Sequence, residues 1–201
     1  MFTLYTDGSG HAKGGSAGCG VVLLWDFSGV AETLSDWRVE VAYGCGSGTH
    51  NVAELKAILV GFRLLYPKKP LFTHHEQRII TFDQDFSKKN DRLVLISDSE
   101  YALYSVSGKY NGSKNKTLIY RCRAEKQHWK KIAYKHVRGH TNVKWNERAD
   151  RLADEARQAS SNSHDRQGFA RFDIFVGERK WLTLDHPRHP KGFLTLSVPK
   201  L

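Results

Sequence analysis

Hydrophobic positions near the start of the chain recur with a period of two, which is typical of β-strands. Residues 2–6 predict a strand that ends in a glycine-containing turn signal at residues 7–10. The continuous apolar run at residues 21–25 predicts a central strand, and the alternating pattern at residues 38–43 predicts a half-exposed one. Because short connections that contain glycine join these strands, we predict an antiparallel meander.

The hydrophobic period then changes to that of a helix. Apolar residues at spacings of three and four predict an amphipathic helix over residues 51–66, which Pro67 and Pro70 end. We interpret the polar, mixed residues 67–92 as an insertion with one short strand at residues 78–82. The later predicted elements are a strand at residues 93–96, a helix at 100–106, a flexible loop at 107–117, a second amphipathic helix from 118 to about 132, a strand at 134–137 and a helix at 146–159.

The C-terminal part of the chain carries a weaker pattern. The polar run at residues 160–163 predicts a linker, and short β-like segments follow at residues 169–176, 181–184 and 193–198. The aromatic residues of these segments favour packing back onto the main domain, and binding of a partner molecule is the alternative.

Length and composition narrow the class of protein. The 201 residues suit one domain with an appendage, and the 40% hydrophobic content supplies a core and excludes a wholly disordered chain. The formal net charge of +10 favours a polyanionic partner, most plausibly nucleic acid. Apolar runs are shorter than the roughly 20 residues that cross a bilayer, and no signal-peptide pattern precedes Asp7, so we expect no membrane association.

The number and spacing of the cysteines also indicate the redox state of the protein's cellular compartment. Cys19, Cys45 and Cys122 are odd in number and widely spaced, and they form no CxxC pair. We therefore expect neither a disulfide framework nor a structural zinc site. The expected compartment is reducing and cytoplasmic.

Four acidic residues occupy positions where a fold of strands and helices gathers polar groups. Asp7 and Asp98 each follow the hydrophobic part of a predicted strand, Glu54 lies in the first turn of a helix, and Asp150 lies in the last helix. If the two strands are neighbours, their carboxylates converge. Converging carboxylates repel one another unless a cation is present, and oxygen-only ligands favour Mg²⁺ or Mn²⁺ over Zn²⁺. Each acid taken alone is better interpreted as a turn residue or a helix cap, because Asp-Gly turns are common.

The local sequences around these acids resemble those of the type 1 ribonuclease H family over residues 2–157. The segments, in chain order, are Leu4-Tyr5-Thr6-Asp7-Gly8-Ser9, Asn51-Val52-Ala53-Glu54-Leu55, Ile96-Ser97-Asp98-Ser99, Val137-Arg138-Gly139-His140-Thr141 and Asn146-Glu147-Arg148-Ala149-Asp150-Arg151-Leu152-Ala153. The resemblance implies an α/β, ribonuclease H-like fold with a mixed five-stranded sheet flanked by helices. It makes residues 1–160 the catalytic domain and residues 161–201 a linker and C-terminal extension of unknown role.

The resemblance also implies an activity, the hydrolysis of the RNA strand of RNA–DNA hybrids. Asp7, Glu54, Asp98 and Asp150 match the family's metal-binding carboxylates, and His140 matches its flexible catalytic histidine. The implied cofactor is a pair of Mg²⁺ ions, about 3.5–4 Å apart, that straddle the scissile phosphate, with Mn²⁺ as a possible substitute. The implied products carry a 5′-phosphate and a 3′-hydroxyl.

Contacts to the hybrid are expected from two groups of residues. In the family, backbone and polar groups around the first aspartate and the glutamate contact the 2′-hydroxyls, and the matching residues here are Gly8, Ser9, His50, Asn51 and Ser99. Two residues depart from the family pattern, since His50 replaces a frequent asparagine and Glu100 replaces a frequent neutral residue. Residues 109–138 hold ten Lys and Arg against one Glu, so we expect phosphate contacts from this basic segment, including Lys114, Lys116 and Arg138.

Two alternatives to the hybrid nuclease stay open. The first alternative is a non-catalytic nucleic-acid-binding module that keeps the fold. The second is a related nuclease that acts on another substrate. Intact acids at all four positions argue against the first, and the sequence around Glu54 and His140 fits the hybrid nuclease better than the second. The expected partner is an RNA–DNA hybrid, with no membrane, and the expected state is a monomer.

Overall fold

The computed structural model of the chain describes residues 1–25, 37–64, 81–82, 92–111, 113–162, 170–186 and 195–196. The strands in these residues are β1 (Phe2–Ser9), β2 (Ser16–Trp25), β3 (Trp37–Ser47), β4 (Thr81–Phe82), β5 (Arg92–Ser97), β6 (Lys131–His136), β7 (Ala170–Val176), β8 (Arg179–His186) and β9 (Thr195–Leu196). The helices are α1 (His50–Leu64), α2 (Glu100–Ser107), α3 (Lys116–Lys126) and α4 (Lys144–Asn162). The order of elements confirms the predicted mixture of strands and helices.

Seven of the described strands form one mixed sheet in the order β6-β5-β1-β2-β3-β7-β8. The predicted meander is confirmed, because β2 pairs antiparallel with both β1 and β3. Strand β5 lies parallel to β1 and to β6, so the carboxyl ends of β1 and β5 meet at one edge. The sheet is wider than the predicted five strands, because β7 and β8 add to its β3 edge in antiparallel pairing.

Helices cover both faces of the sheet. Consecutive residues of β2 point to opposite faces, so Val21 and Leu23 join a large core under α1, α2 and α3, whereas Val22 and Leu24 join a smaller core under α4. Because both faces of β2 are buried, its sequence is a continuous apolar run rather than an alternating pattern. Helix α4 contributes Leu152 and small alanines to the smaller core.

Several element boundaries differ from those predicted, including the following three. Strand β1 continues through Ser9, so Asp7 lies within the strand, opposite Gly20, and not in a turn after it. Helix α3 ends at Lys126, because the apolar spacing that continues to Ile132 belongs to a turn and then to β6. Helix α4 runs to Asn162 and takes in most of the predicted linker.

The insertion predicted at residues 67–92 lies almost wholly outside the described residues. Within it the structure describes the short strand β4, which overlaps the predicted strand at residues 78–82 and pairs parallel with β9. No helix in the described part of the chain is long and apolar enough to cross a membrane.

One expectation about the cysteines is wrong. A disulfide joins Cys19 of β2 to Cys45 of β3, whereas Cys122 is free and buried. The two cysteines are 26 residues apart in sequence, but the antiparallel register places Cys19 opposite Tyr43, two residues from Cys45. Sequence spacing alone therefore hides a pairing that the strand register creates.

Candidate active site

Four carboxylates from separate segments reach one cleft. Asp7 lies in β1, Glu54 in the second turn of α1, Asp98 directly after β5, and Asp150 in α4. The cleft encloses about 400 Å³. Its lining residues are Asp7, Gly8, Ser9, Gly10, His50, Glu54, Asp98, Ser99, Gly139, His140 and Asp150. All five residues predicted to be catalytic are among them.

A glycine lets Glu54 approach Asp7. A Cβ atom built on Gly8 would lie 2.2 Å from the backbone nitrogen of Glu54. Only a residue without a side chain therefore permits α1 to lie this close to β1 at Glu54. As a result, one ligand oxygen each from Asp7, Glu54 and Asp98 lies within 4.8 Å of the other two.

A second group of possible ligands includes His140 and Asp150 of the cleft lining. Ligand atoms of His140, Glu147 and Asp150 also lie within 4.8 Å of one another. His140 is exposed and has a φ of 55°, a left-handed conformation in the segment between β6 and α4. Thr141 Oγ1 donates a 2.6 Å hydrogen bond to the carbonyl of Arg138 across the turn that presents His140.

Burial and mutual repulsion favour protonated acids in this cleft. Burial, followed by the charges of Asp98 and Asp150, raises the pKa of Asp7 to about 7. Burial, followed by the charges of Asp7 and Asp98, raises the pKa of Glu54 well above its usual value. Burial and the nearby charge of Asp154 raise the pKa of Asp150. A divalent cation would offset this repulsion, because it neutralises the charges that the acids impose on one another.

The chemistry of the donor atoms fits a hard divalent cation. Glu54 is only 1% exposed, and its buried Oε2 atom has no hydrogen-bond partner in the structure. A buried, unpartnered carboxylate oxygen is costly unless it binds a proton or a metal. Together with Asp7 and Asp98 it forms an oxygen-only set, which is the type of site that Mg²⁺ and Mn²⁺ occupy.

A second close approach places Asp150. A Cβ atom built on Gly20, which lies opposite Asp7 in the sheet, would be 1.8 Å from the carbonyl oxygen of Ala149. Backbone atoms of α4 therefore rest directly on β2 at the residue before Asp150. The side chain of Asp150 reaches the cleft because this contact holds α4 close to the sheet.

Substitution of Gly20 by alanine should therefore reduce catalysis and stability together. The methyl group has no space, so α4 must move away by an ångström or more, and misplacement of that size costs roughly 100-fold in rate. Overpacking at such a site costs about 1–3 kcal/mol in the free energy of unfolding. Steady-state turnover and thermal melting of Gly20→Ala test this, and wild-type values for both would contradict the packing described.

The residues predicted to contact substrate divide into two groups. Four of them line the cleft, namely Gly8, Ser9, His50 and Ser99. His50 also lies near a proposed metal ligand, since its Nε2 is 3.3 Å from Glu54 Oε1. The other four are exposed and lie away from the cleft lining, namely Asn51 in the first turn of α1, Lys114 and Lys116 around the start of α3, and Arg138 after β6.

Several neighbours of the carboxylates were not singled out as candidates from the sequence. Glu147 lies one helical turn before Asp150, and this spacing is the signal that would have identified it. Asn146 Nδ2 donates a hydrogen bond of 3.4 Å to Asp98 Oδ2. Gly139 faces the same carboxylate, because a Cβ atom there would lie 2.9 Å from Asp98 Oδ2. Tertiary structure alone reveals the last two contacts.

This chain is similar to one protein-family model and to several solved structures. A family model described as RNase H matches residues 1–158. RNase H1 from the halophilic archaeon Halobacterium salinarum NRC-1 is 21% identical, with a TM-score of 0.55 over 79% of this chain and 98% of that one. LC11-RNase H1, isolated from compost by a metagenomic approach, is 24% identical, with a TM-score of 0.57 over 80% of this chain and 97% of that one.

A second structure of LC11-RNase H1, in complex with an RNA/DNA hybrid, has a TM-score of 0.56. It is 21% identical and covers 80% of this chain and 99% of that one. No curated protein sequence matches the chain. The structural likenesses show the ribonuclease H-like fold that the sequence segments predicted.

Proposed function

Because the chain belongs to the RNase H family, we propose that it is a metal-dependent endoribonuclease that hydrolyses the RNA strand of RNA–DNA hybrids. The proposal depends most on one observation. Carboxylates from β1, α1, the end of β5 and α4 line one cleft, and three of them are close enough to share a cation. A fold retained only for binding would not need to keep mutually repelling, buried acids together.

The acidic residues of the cleft have separate proposed roles in catalysis. Asp7, Glu54 and Asp98 would hold one divalent cation, and Asp150 would contribute to a second, with Mg²⁺ the expected ion and Mn²⁺ a substitute. When bound, such cations lower the pKa of the attacking water and stabilise the leaving 3′ oxygen, so the products would carry 5′-phosphate and 3′-hydroxyl ends. The protein groups position the phosphate in line with the water, since phosphoryl transfer needs positioning more than a protein nucleophile.

His140 is proposed to move protons at the edge of the cleft. It is exposed, lies in a turn, and has a ligand atom within 4.8 Å of Glu147 and Asp150. An imidazole there can accept a proton from the attacking water or donate one to the leaving oxygen.

Substitution of His140 by alanine should slow turnover without abolishing it. General acid–base groups contribute about 100- to 10,000-fold, and water can replace part of that contribution at an exposed position, so we expect a loss near the lower limit. Multiple-turnover kinetics with excess hybrid measure the effect. A variant as inactive as one that lacks Asp7 would show that His140 has a larger role than proton transfer.

Recognition of the hybrid is proposed to combine the cleft with the basic segment, residues 109–138. The related LC11-RNase H1 has been crystallised with an RNA/DNA hybrid. Here Ser9, His50 and Ser99 present polar groups in the cleft that can pair with 2′-hydroxyls. Exposed Lys114 and Lys116 supply charge for phosphate contacts outside it.

A matched panel of nucleic acids tests the proposed function. One RNA sequence is labelled and offered as an RNA–DNA hybrid and as double-stranded RNA, with the same sequence as double-stranded DNA, in Mg²⁺, Mn²⁺ or EDTA. The proposal predicts internal cuts in the RNA strand of the hybrid only, and only with a divalent ion. Binding of the hybrid with no cut after long incubation would instead favour a non-catalytic module, and cleavage of the other duplexes would favour a related nuclease.

A further inference from the structure

The hairpin formed by β7 and β8 lies beyond residues 1–158, which match the family. It nevertheless contacts the core of the protein, because β7 pairs along most of its length with β3. On the face covered by α4, charged residues join the hairpin, the sheet and the helix, and two of them, Glu40 and Asp173, are buried. This charged cluster consists of Arg38 and Glu40 of β3, Arg148 and Glu155 of α4, and Arg171, Asp173 and Lys180 of the hairpin.

Two buried carboxylates form the base of the charged cluster. Glu40 and Asp173 are directly opposite each other in the β3–β7 register and are only 3% and 2% exposed. Adjacent buried carboxylates would repel each other without cations around them. Arg38 Nε lies 2.9 Å from Glu40 Oε1, and Lys180 Nζ lies 3.0 Å from Asp173 Oδ1. Each buried carboxylate therefore has a cation from its own strand or hairpin, and the pairing of β7 with β3 brings the two ion pairs side by side.

The partners of Asp173 stabilise the charged form of its carboxyl group. Burial alone would raise its pKa, but hydrogen bonds from Thr183 and Lys180, with the charges of Lys180 and Arg171, hold the pKa below its usual value. The hydrogen bond from Thr183 Oγ1 to Asp173 Oδ1 is 2.5 Å long. The hairpin thus presents a fixed charged surface rather than a loose tail.

A chain of ion pairs leads from this surface to α4. Arg171 contacts two acids at once, with its Nε 3.2 Å from Asp173 and an Nη atom 2.5 Å from Glu155 Oε2. The other oxygen of Glu155 lies 3.5 Å from Arg148, whose guanidinium also contacts Glu40 at 2.8 Å. Arg148 is two residues before Asp150 on α4, so the chain of ion pairs ends within one helical turn of that carboxylate.

Close packing of α4 explains why such contacts matter for position. At Gly18 and Gly20 the helix backbone rests on a strand that presents no side chain, since a Cβ atom at either position would lie within 2.2 Å of a helix carbonyl. A smooth contact of this kind sets the distance of the helix from the sheet. Along the helix axis, α4 is restrained by the packing of Leu152 with Val22 and Leu24. The ion pairs of Arg148 and Glu155 add a directional restraint at the side of the helix that faces the hairpin.

We propose that the β7–β8 hairpin positions α4 through Arg171, Glu155 and Arg148, and thereby sets the place of Asp150 in the cation site. The three are positioning residues, because they contact neither the cleft lining nor the reacting atoms. The inference rests on the proposed function only in naming Asp150 as a cation ligand. Groups that orient metal ligands commonly change metal affinity by 10- to 100-fold when removed.

The test compares variants that break the chain of ion pairs with one that breaks a similar pair elsewhere. Arg171→Met keeps the apolar stem but removes both contacts, and Glu155→Gln removes the partner on α4. Arg63→Gln is the matched control, because it breaks the ion pair between Arg63 and the buried Glu125, which joins α1 to α3. Each full-length variant is titrated with Mn²⁺ by calorimetry without nucleic acid, melted thermally, and assayed for cleavage across Mg²⁺ concentrations.

We expect Arg171→Met and Glu155→Gln to weaken Mn²⁺ binding about tenfold and to raise the half-saturating Mg²⁺ concentration by a similar factor. The KM for hybrid should stay within twofold of wild type. Arg63→Gln should lower the melting temperature with cation affinity unchanged, and Arg171→Lys should recover part of the affinity. Wild-type affinity in both test variants, even if they melt earlier, would overturn the proposal. If wild-type protein binds Mn²⁺ but cuts no hybrid, the proposed function fails, whereas the calorimetric comparison still decides this inference.

Discussion

Asp7→Asn is expected to abolish hydrolysis of the hybrid while leaving its binding intact. The amide keeps the shape of the side chain, but it removes the charge that Asp7 shares with Glu54 and Asp98. Loss of several kcal/mol of cation-mediated stabilisation corresponds to a rate decrease of roughly 1000-fold or more. Single-turnover cleavage of a labelled hybrid gives the rate, and filter binding in Ca²⁺ or EDTA gives the affinity.

Glu178→Gln is the matched control for this experiment. Glu178 is an exposed acid in the turn between β7 and β8, and its change to an amide makes the same chemical alteration away from the cleft. It should cleave at the wild-type rate. Cleavage by Asp7→Asn at that same rate would rule out Asp7 as a metal ligand and with it the proposed site.

The second large effect concerns stability without metal. Asp7 has a folded-state pKa of about 7, raised by burial and by its acidic neighbours from 3.8, and the pKa of Glu54 is raised as well. The folded state therefore holds protons that the unfolded state has released between about pH 4 and pH 7. Stability from this source is complete below pH 4 and is lost as pH rises through 7. The metal-free protein should accordingly become less stable across that range.

Asp7→Asn should be more stable than wild type in EDTA at pH 8, by on the order of 2 kcal/mol. A shift of three pKa units sets an upper limit of about 4 kcal/mol, which relaxation around the ionised group reduces. The difference should vanish at pH 4, and Mg²⁺ should stabilise wild type more than the variant at pH 8. Urea unfolding at both pH values measures this. A variant less stable than wild type at pH 8 would mean that the acids do not repel one another in the folded state.

Local periodicity predicts most of the central architecture. The change from a period of two to spacings of three and four at residue 51 separates the meander from α1, which begins at His50. The same reasoning extends α3 too far, because Trp129 and Ile132 continue the helical spacing by chance into a turn and β6. A pattern records which residues are buried, and both a helix and a following strand can bury them.

The period of hydrophobic residues does not predict which distant segments pair with each other. The Cys19–Cys45 disulfide follows from the β2–β3 register, and the place of β7 follows from its pairing with β3, more than a hundred residues earlier. The four carboxylates could be chosen as a set only because their local sequences resemble one family. Asn146 and Gly139, which contact Asp98, carry no comparable signal when each is considered alone.

Diffraction from crystals soaked in Mn²⁺ tests the central claim most directly, because the anomalous signal locates the ion without reference to activity. The account predicts a strong peak in contact with carboxylate oxygens of Asp7, Glu54 and Asp98, and a second near Asp150 when hybrid is bound. The first peak should weaken in Asp7→Asn. Ordered carboxylates with no peak between them at saturating Mn²⁺, or peaks confined to other residues, would contradict it.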